Sequence, residues 1–119
     1  MKRRFQHHFT PAEATALLPD VVRWLEELRL LSQRVNRQSE RLIERLQELG
    51  DQGGARVNEQ TRDQVRLQAL IGEFSRRGVM IHSLERGKLD FPSLRGDREI
   101  YLTWQEGETS VGSWREIPG

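Results

Sequence analysis

Apolar spacing changes abruptly along one segment of this chain, and that change limits what the chain can fold into. From Leu17 to Leu31 apolar side chains are dense: Leu17, Leu18, Val21, Val22, Trp24, Leu25, Leu28, Leu30 and Leu31. A helix carrying that band is apolar over more of its circumference than one partner helix covers. From Ser32 onward a single seam remains, Ser32, Val35, Ser39, Leu42, Leu46 and Leu49, stepping alternately by three and four residues as in a coiled coil. The segment therefore predicts a long helix buried from several sides over its first half and facing one neighbour over its second.

The boundaries of that helix are legible. In "TPAE", Thr10 is a cap, Pro11 suits the first helical position and Glu13 completes a capping box. Pro19 has no N–H and crowds the preceding turn, so a kink or break is expected there, followed by helix from about Asp20 to Leu49. "GDQGGARVN" (50–58) reads as a turn, with Gly50 closing the first helix and Asn58 capping the next. A second helix is expected from about Glu59 to Arg77, with Val65, Leu67, Leu70, Ile71 and Phe74 apolar and Gly78 ending it in a left-handed conformation. The two form an antiparallel hairpin over residues 10–78. Its geometry sets Arg45 near Asp63 and Arg34 near Glu73.

Residues 79–119 change character. "VMIHSL" (79–84) has the composition of a short strand, "ERGK" (85–88) that of a turn, and "LDFP" (89–92) leads into a loop. "REIYLTW" (98–104) is the strongest strand, with "TSVGSW" (109–114) as its partner. In "EGET" (106–109) Gly107 is the first central residue of a two-residue type II′ turn. That register puts Trp104 opposite Val111, Leu102 opposite Ser113 and Tyr101 opposite Trp114. Ile100, Leu102, Trp104 and Val111 then share the core face, and Tyr101 and Trp114 form an aromatic pair on the other. A slip of one residue reverses the assignment of the second strand. The expected fold is α+β: one domain over residues 1–119, a long antiparallel helical hairpin with a small antiparallel sheet of three strands packed at its base.

Composition narrows the function classes. The 119 residues contain no cysteine, so disulfides and thiolate chemistry are excluded. No apolar run approaches 18 residues, so no membrane span is expected, and the basic start "MKRRFQHHF" lacks an apolar signal core. A cytoplasmic location follows. A net charge of +1 gives no global attraction to nucleic acid or membrane.

Few residue patterns carry chemistry. His7 and His8 are adjacent and His82 is alone, so no metal-ligand spacing exists and no metal or cofactor is expected. Asp90, Glu106, Glu108 and Glu116 can gather near the hairpin end, but no nucleophile accompanies them, so no catalytic residues are assigned. "GDQGG" (50–54) lacks the Lys-Ser/Thr ending of a phosphate loop, and "RGD" (95–97) reads as a loop tripeptide. Arg34, Arg37, Arg41 and Arg45 fall at helical spacing. With Lys2 to Arg4 they form a candidate nucleic-acid stripe, set against the plainer reading of a solvated face whose arginines pair across the hairpin with Asp63 and Glu73 and whose potential is weakened by Glu40, Glu44 and Glu48 beside it. Tyr101, Trp114, Asp90 and Glu108 form a candidate small-ligand patch.

"FTPAEATALLP" (9–19), "LDFP" (89–92) and "REIYLTWQEGE" (98–108) together resemble a bacterial family, domain of unknown function 2203. The resemblance runs over nearly the whole chain and implies no established activity. Relatives typically read Tyr-Leu-Cys-Trp where this chain has Thr103, and Trp-His where it has Trp114-Arg115. They usually carry a Gly-Phe…Gly-Arg tail after the point corresponding to Gly119. A polar site built from that Cys, His and Arg is not expected here. The matching positions Asp90, Arg98, Tyr101, Trp104, Gly107, Glu108 and Trp114 read as fold determinants with a binding patch. The leading expectation is a non-enzymatic protein that self-associates or binds a protein partner through whatever part of the Leu17–Leu31 band the sheet leaves uncovered.

Overall fold

The computed structural model describes residues 3–49 and 54–118, and of these the backbone alone at 39–40, 42–49 and 54–60. Two helices, α1 (Pro11–Leu49) and α2 (Gly54–Arg77), precede four strands: β1 (Met80–Ser83), β2 (Lys88–Arg95), β3 (Arg98–Gln105) and β4 (Ser113–Glu116). The strands form one antiparallel sheet in the order β1-β2-β3-β4. The chain is thus α+β.

The capping box closes as its residues require. Glu13 N–H donates to Thr10 Oγ1 at 3.1 Å, and Thr10 N–H donates to Glu13 Oε1 at 3.3 Å. The break expected at Pro19 is absent, and α1 is one helix of 39 residues through it. Pro19 lies on the exposed side, where water can satisfy the one carbonyl its missing N–H leaves unpaired. Leu18 and Val21, buried on either side of it, hold the helix to the core. At the other end of the helical region, Gly78 N–H donates to Ser75 O, Val79 N–H donates to Phe74 O, and Gly78 adopts φ 77°. This paired closure is a Schellman cap, and its flanking Phe74 and Val79 both enter the core.

α2 begins at Gly54, inside the stretch expected to be a turn, so Asn58 lies within the helix rather than capping it. The expected closure at Gly50, and the side chains of Ser39, Leu42, Leu46 and Leu49 in the seam, lie outside the described residues and side chains. The two helices run antiparallel: Trp24 meets Phe74 with ring centroids 5.9 Å apart, while Arg34 reaches Asp63. The expected pairing of Arg34 is corrected, and that of Arg45 falls on a side chain outside the description. Asp63, not Glu73, takes Arg34, through Nε at 3.0 Å and an NH2 nitrogen at 2.5 Å. Asp63 is buried, and a buried carboxylate is stable only with such a charge-assisted fork. Glu73 instead takes Arg76 and Arg77 from its own helix.

The stretch "LDFP" does not lead into a loop; it lies within β2, and the sheet has four strands rather than three. Pro92 is tolerated because its carbonyl points away from β3 and accepts Phe9 N–H at 2.7 Å. Its missing N–H faces that same edge, so no hydrogen bond to β3 is lost. β2 and β3 are joined across Gly96 and Asp97, with Arg95 opposite Arg98. Gly96 has φ 64°, so the two-residue turn sits here rather than at "EGET". One face of the sheet, with Leu89, Phe91, Ile100, Leu102 and Trp104, packs against Ala14, Leu18, Val21, Leu25, Leu28 and Leu31 of α1 and Leu70 and Phe74 of α2. Arg29 fastens α1 to the strand connections. It donates to Leu84 O at 3.1 Å and to Glu106 Oε1 at 2.9 Å.

The dense apolar band is therefore sorted by direction. Leu25 is fully buried, whereas Leu30, on the opposite side of α1, remains 65% exposed. Replacing Leu25 by Ala is expected to cost about 2–5 kcal/mol in urea unfolding, and replacing Leu30 by Ala less than about 0.5 kcal/mol. Equal costs would contradict this packing.

Candidate functional site

The β3–β4 connection decides what the outer face of the sheet displays. It occupies residues 106–112 and is not a two-residue turn. Its first part closes on Trp104 and Gln105. Trp104 Nε1–H donates to Glu108 O at 2.9 Å, Gln105 N–H to Glu108 Oε1 at 2.6 Å and Glu108 N–H to Gln105 O at 3.0 Å. Gly107 carries the positive φ, 103°, that this turn demands. Its second part drops Val111 into the core, where the Val111 N–H donates to Thr15 Oγ1 at 3.0 Å. β4 then pairs with Leu102 opposite Trp114 and Tyr101 opposite Arg115.

This corrects the expected register by one residue. Trp114 moves to the side of Leu102 and Trp104, at the sheet margin, 40% exposed and covered by the Arg95 guanidinium 4.2 Å from its ring centre. Arg115 takes its place beside Tyr101 on the outer face. The reason is energetic. Both registers bury Val111, but the longer connection also gives the Val111 N–H to Thr15 Oγ1 and turns Glu108 back onto Trp104 and Gln105, hydrogen bonds worth roughly 0.5–1.5 kcal/mol each against the roughly 0.2–1 kcal/mol of a cross-strand aromatic pair.

Arg115 is held on two sides. One of its NH2 groups donates to Asp90 Oδ2 at 2.6 Å and lies 3.3 Å from His82 Nδ1, and its guanidinium carbon sits 4.8 Å from the Tyr101 ring centre. Asp90 is buried, and Arg115 supplies the compensation a buried carboxylate needs, with His82 Nδ1 3.4 Å from the same Oδ2. A cavity of about 270 Å³ opens over this group. It is lined by His82, Lys88, Leu89, Asp90, Thr103, Trp104, Gln105, Glu108 and Arg115.

Of the ligand patch expected from sequence, Asp90 and Glu108 line this cavity. Tyr101 supports it through Arg115, and Trp114 does not join it. His82, Lys88, Thr103, Gln105 and Arg115 were not anticipated. Thr103 and Arg115 are the two positions read from sequence as departures from the resembling family, and that reading was the available signal. The other carboxylates do not gather: Glu106 holds Arg29, and Glu116 pairs with Arg98. In the arginine stripe, Arg34 is engaged by Asp63, Arg37 and Arg41 are exposed, and Lys2 and the Arg45 side chain lie outside the description. Among the described residues no three His, Asp or Glu side chains converge as a metal site would require.

The N-terminal segment straps the same sheet. Glu99 accepts from the N–H groups of Arg4 at 2.8 Å and Phe5 at 3.0 Å, and meets His8 Nε2 at 2.8 Å. Phe5 lies 5.8 Å from the Tyr101 ring. His7 packs edge-on against Phe9, 4.4 Å between centres. The Arg4 amide, then His8, pull the Glu99 carboxyl down to about 2. Its folded-state value thus lies below the unfolded one, so the strap's anchoring is complete above the ordinary carboxylate range and is lost as pH falls toward 2.

A model of the family described as "Uncharacterized conserved protein (DUF2203)" matches residues 7–118. No curated protein and no solved structure matches the chain. No helix among the described residues is long and apolar enough to cross a membrane.

The strap yields a pH test. The Phe5 and Tyr101 ring protons are expected to shift together in NMR titration with a midpoint near pH 2, and to lose that transition in Glu99→Gln. A transition unchanged in the variant would assign it elsewhere.

Proposed function

The chain belongs to the family described as uncharacterized conserved protein (DUF2203), and from that premise we propose that it is a small-ligand-binding protein whose site is the outer face of its sheet. The observation that carries this reading is the fixed guanidinium of Arg115, clamped between Asp90 and Tyr101 at a 270 Å³ cavity. A guanidinium ordered before binding loses little entropy when it takes a ligand oxygen, and its remaining N–H groups form a planar donor edge. Arg115 is neutralised by Asp90 without being consumed, because only one of its nitrogens makes that bond. The cavity suits a metabolite rather than a macromolecule.

An NMR titration with a panel of small carboxylates, amino acids and sugar phosphates tests this. At least one is expected to shift the resonances of Asp90, Thr103 and Arg115 saturably, and Arg115→Gln is expected to weaken it by at least about tenfold, or ~1.4 kcal/mol. Shifts confined to the helices, or unaffected by the substitution, would refute the assignment.

Pairing between copies of the chain is the second reading. Its support is the outer edge of β4, which ends the sheet and carries the half-exposed Trp114. The band on α1 supports it less, since exposed Leu30 and Val65 lie on helix faces opposite the buried stripes. Self-pairing at β4 would extend the sheet across a two-fold axis. Sedimentation at micromolar concentration is then expected to show a dimer that Trp114→Glu dissociates; a concentration-independent monomer would exclude it.

A further inference from the structure

The cavity beneath Arg115 holds more charge than Asp90 and Arg115 use. That pair compensates itself at 2.6 Å. Two further residues of opposite charge, Lys88 and Glu108, line the same 270 Å³ cavity. Neither forms an ion pair among the described residues. Glu108 is turned away from Lys88 toward the backbone of Gln105. Lys88 is the direct cross-strand partner of Gln105, and Glu108 is turned back so that its Oε1 takes the Gln105 N–H at 2.6 Å. One carboxylate oxygen of Glu108 therefore keeps its place relative to the turn while the other remains to accept from a ligand. Lys88 is half-buried as a residue, which limits the directions its side chain can explore.

From this arrangement we infer that the ligand is amphoteric: a small molecule carrying one carboxylate and one ammonium group, of the size of a free amino acid. The inference rests on the ligand-binding reading given above and names the chemistry of that site. The carboxylate takes Lys88 and the open N–H edge of Arg115. The ammonium takes Glu108. Thr103, whose hydroxyl both donates and accepts, lines the space between. A dianion would meet Glu108 with like charge, and a dication would meet Lys88 and Arg115. Each mismatch leaves one protein charge desolvated without a partner, the costliest arrangement a binding site can hold. The cavity is also too small for the ligand to keep a full hydration shell at both ends, so charge matching decides affinity.

Calorimetric titration of the full chain with glycine, β-alanine and 4-aminobutyrate, against succinate and putrescine as dianion and dication, tests the inference. At least one amino acid is expected to bind about tenfold or more tightly than both controls. Glu108→Gln is expected to remove that preference by raising relative succinate binding, and Lys88→Gln by raising relative putrescine binding. Lys88 is on the outer face of β2, and Gln at 108 keeps the side-chain oxygen that accepts the Gln105 N–H, so circular dichroism and thermal midpoint should stay unchanged. Tightest binding of succinate or putrescine, or a preference unmoved by both substitutions, would overturn the amphoteric assignment. An uncharged metabolite that shifts Asp90, Thr103 and Arg115 when no amino acid does would overturn it while leaving the ligand-binding reading intact. Failure of every compound to perturb those residues would overturn both.

Discussion

The guanidinium at the cavity is placed by one backbone relationship, the offset between β3 and β4 that sets Tyr101 opposite Arg115. Side chains alternate across a strand, so a one-residue change would present Trp114 and remove Arg115. The offset is not chosen by the strands themselves, which pair over only four residues of β4. It is chosen by the connection before β4, where Val111 must reach the core while Trp104 and Gln105 are hydrogen-bonded to Glu108. A packing decision on the inner face thereby determines the electrostatics of the outer one.

The outer face is then built around a buried acid. Asp90 is sealed on the sheet by its position in β2, between Leu89 and Phe91, both fully buried. Removing Arg115 would leave that carboxylate without its charge partner, so the guanidinium has a structural part beside the recognition proposed for it. Tyr101 joins this group to the N-terminal strap, with Phe5 on one side and Arg115 on the other. Glu99, fixed by two backbone N–H groups and His8, keeps Phe5 there. Segments nearly a hundred residues apart in sequence thus share the support of one arginine.

The sequence spoke most clearly where local chemistry dominates. "TPAE" specified its capping box, and Gly78 its left-handed helix end. Alternation in "REIYLTW" placed Ile100, Leu102 and Trp104 in the core. What it did not convey depended on distant partners. Pro92 looked like a strand terminator because its tolerance depends on Phe9 arriving at that edge. The β4 register looked like a hairpin problem, yet it was decided by Thr15 and the α1 core. Of the residues lining the cavity, Asp90 and Glu108 were legible as polar residues beside the strongest strand. Arg115 was hidden behind the aromatic neighbour whose place it takes.

Interstrand α-proton contacts test the register most directly. Pro92 turns its N–H position and carbonyl toward Phe9, so Tyr101 directs its own toward β4, and Leu102 and its partner form a close pair without mutual hydrogen bonds, with α-carbons about 4.5 Å apart. A strong nuclear Overhauser effect is therefore expected between the α-protons of Leu102 and Trp114. The same effect between Leu102 and Ser113 would place Trp114 beside Tyr101, turn Arg115 away from Asp90, and contradict the site as described.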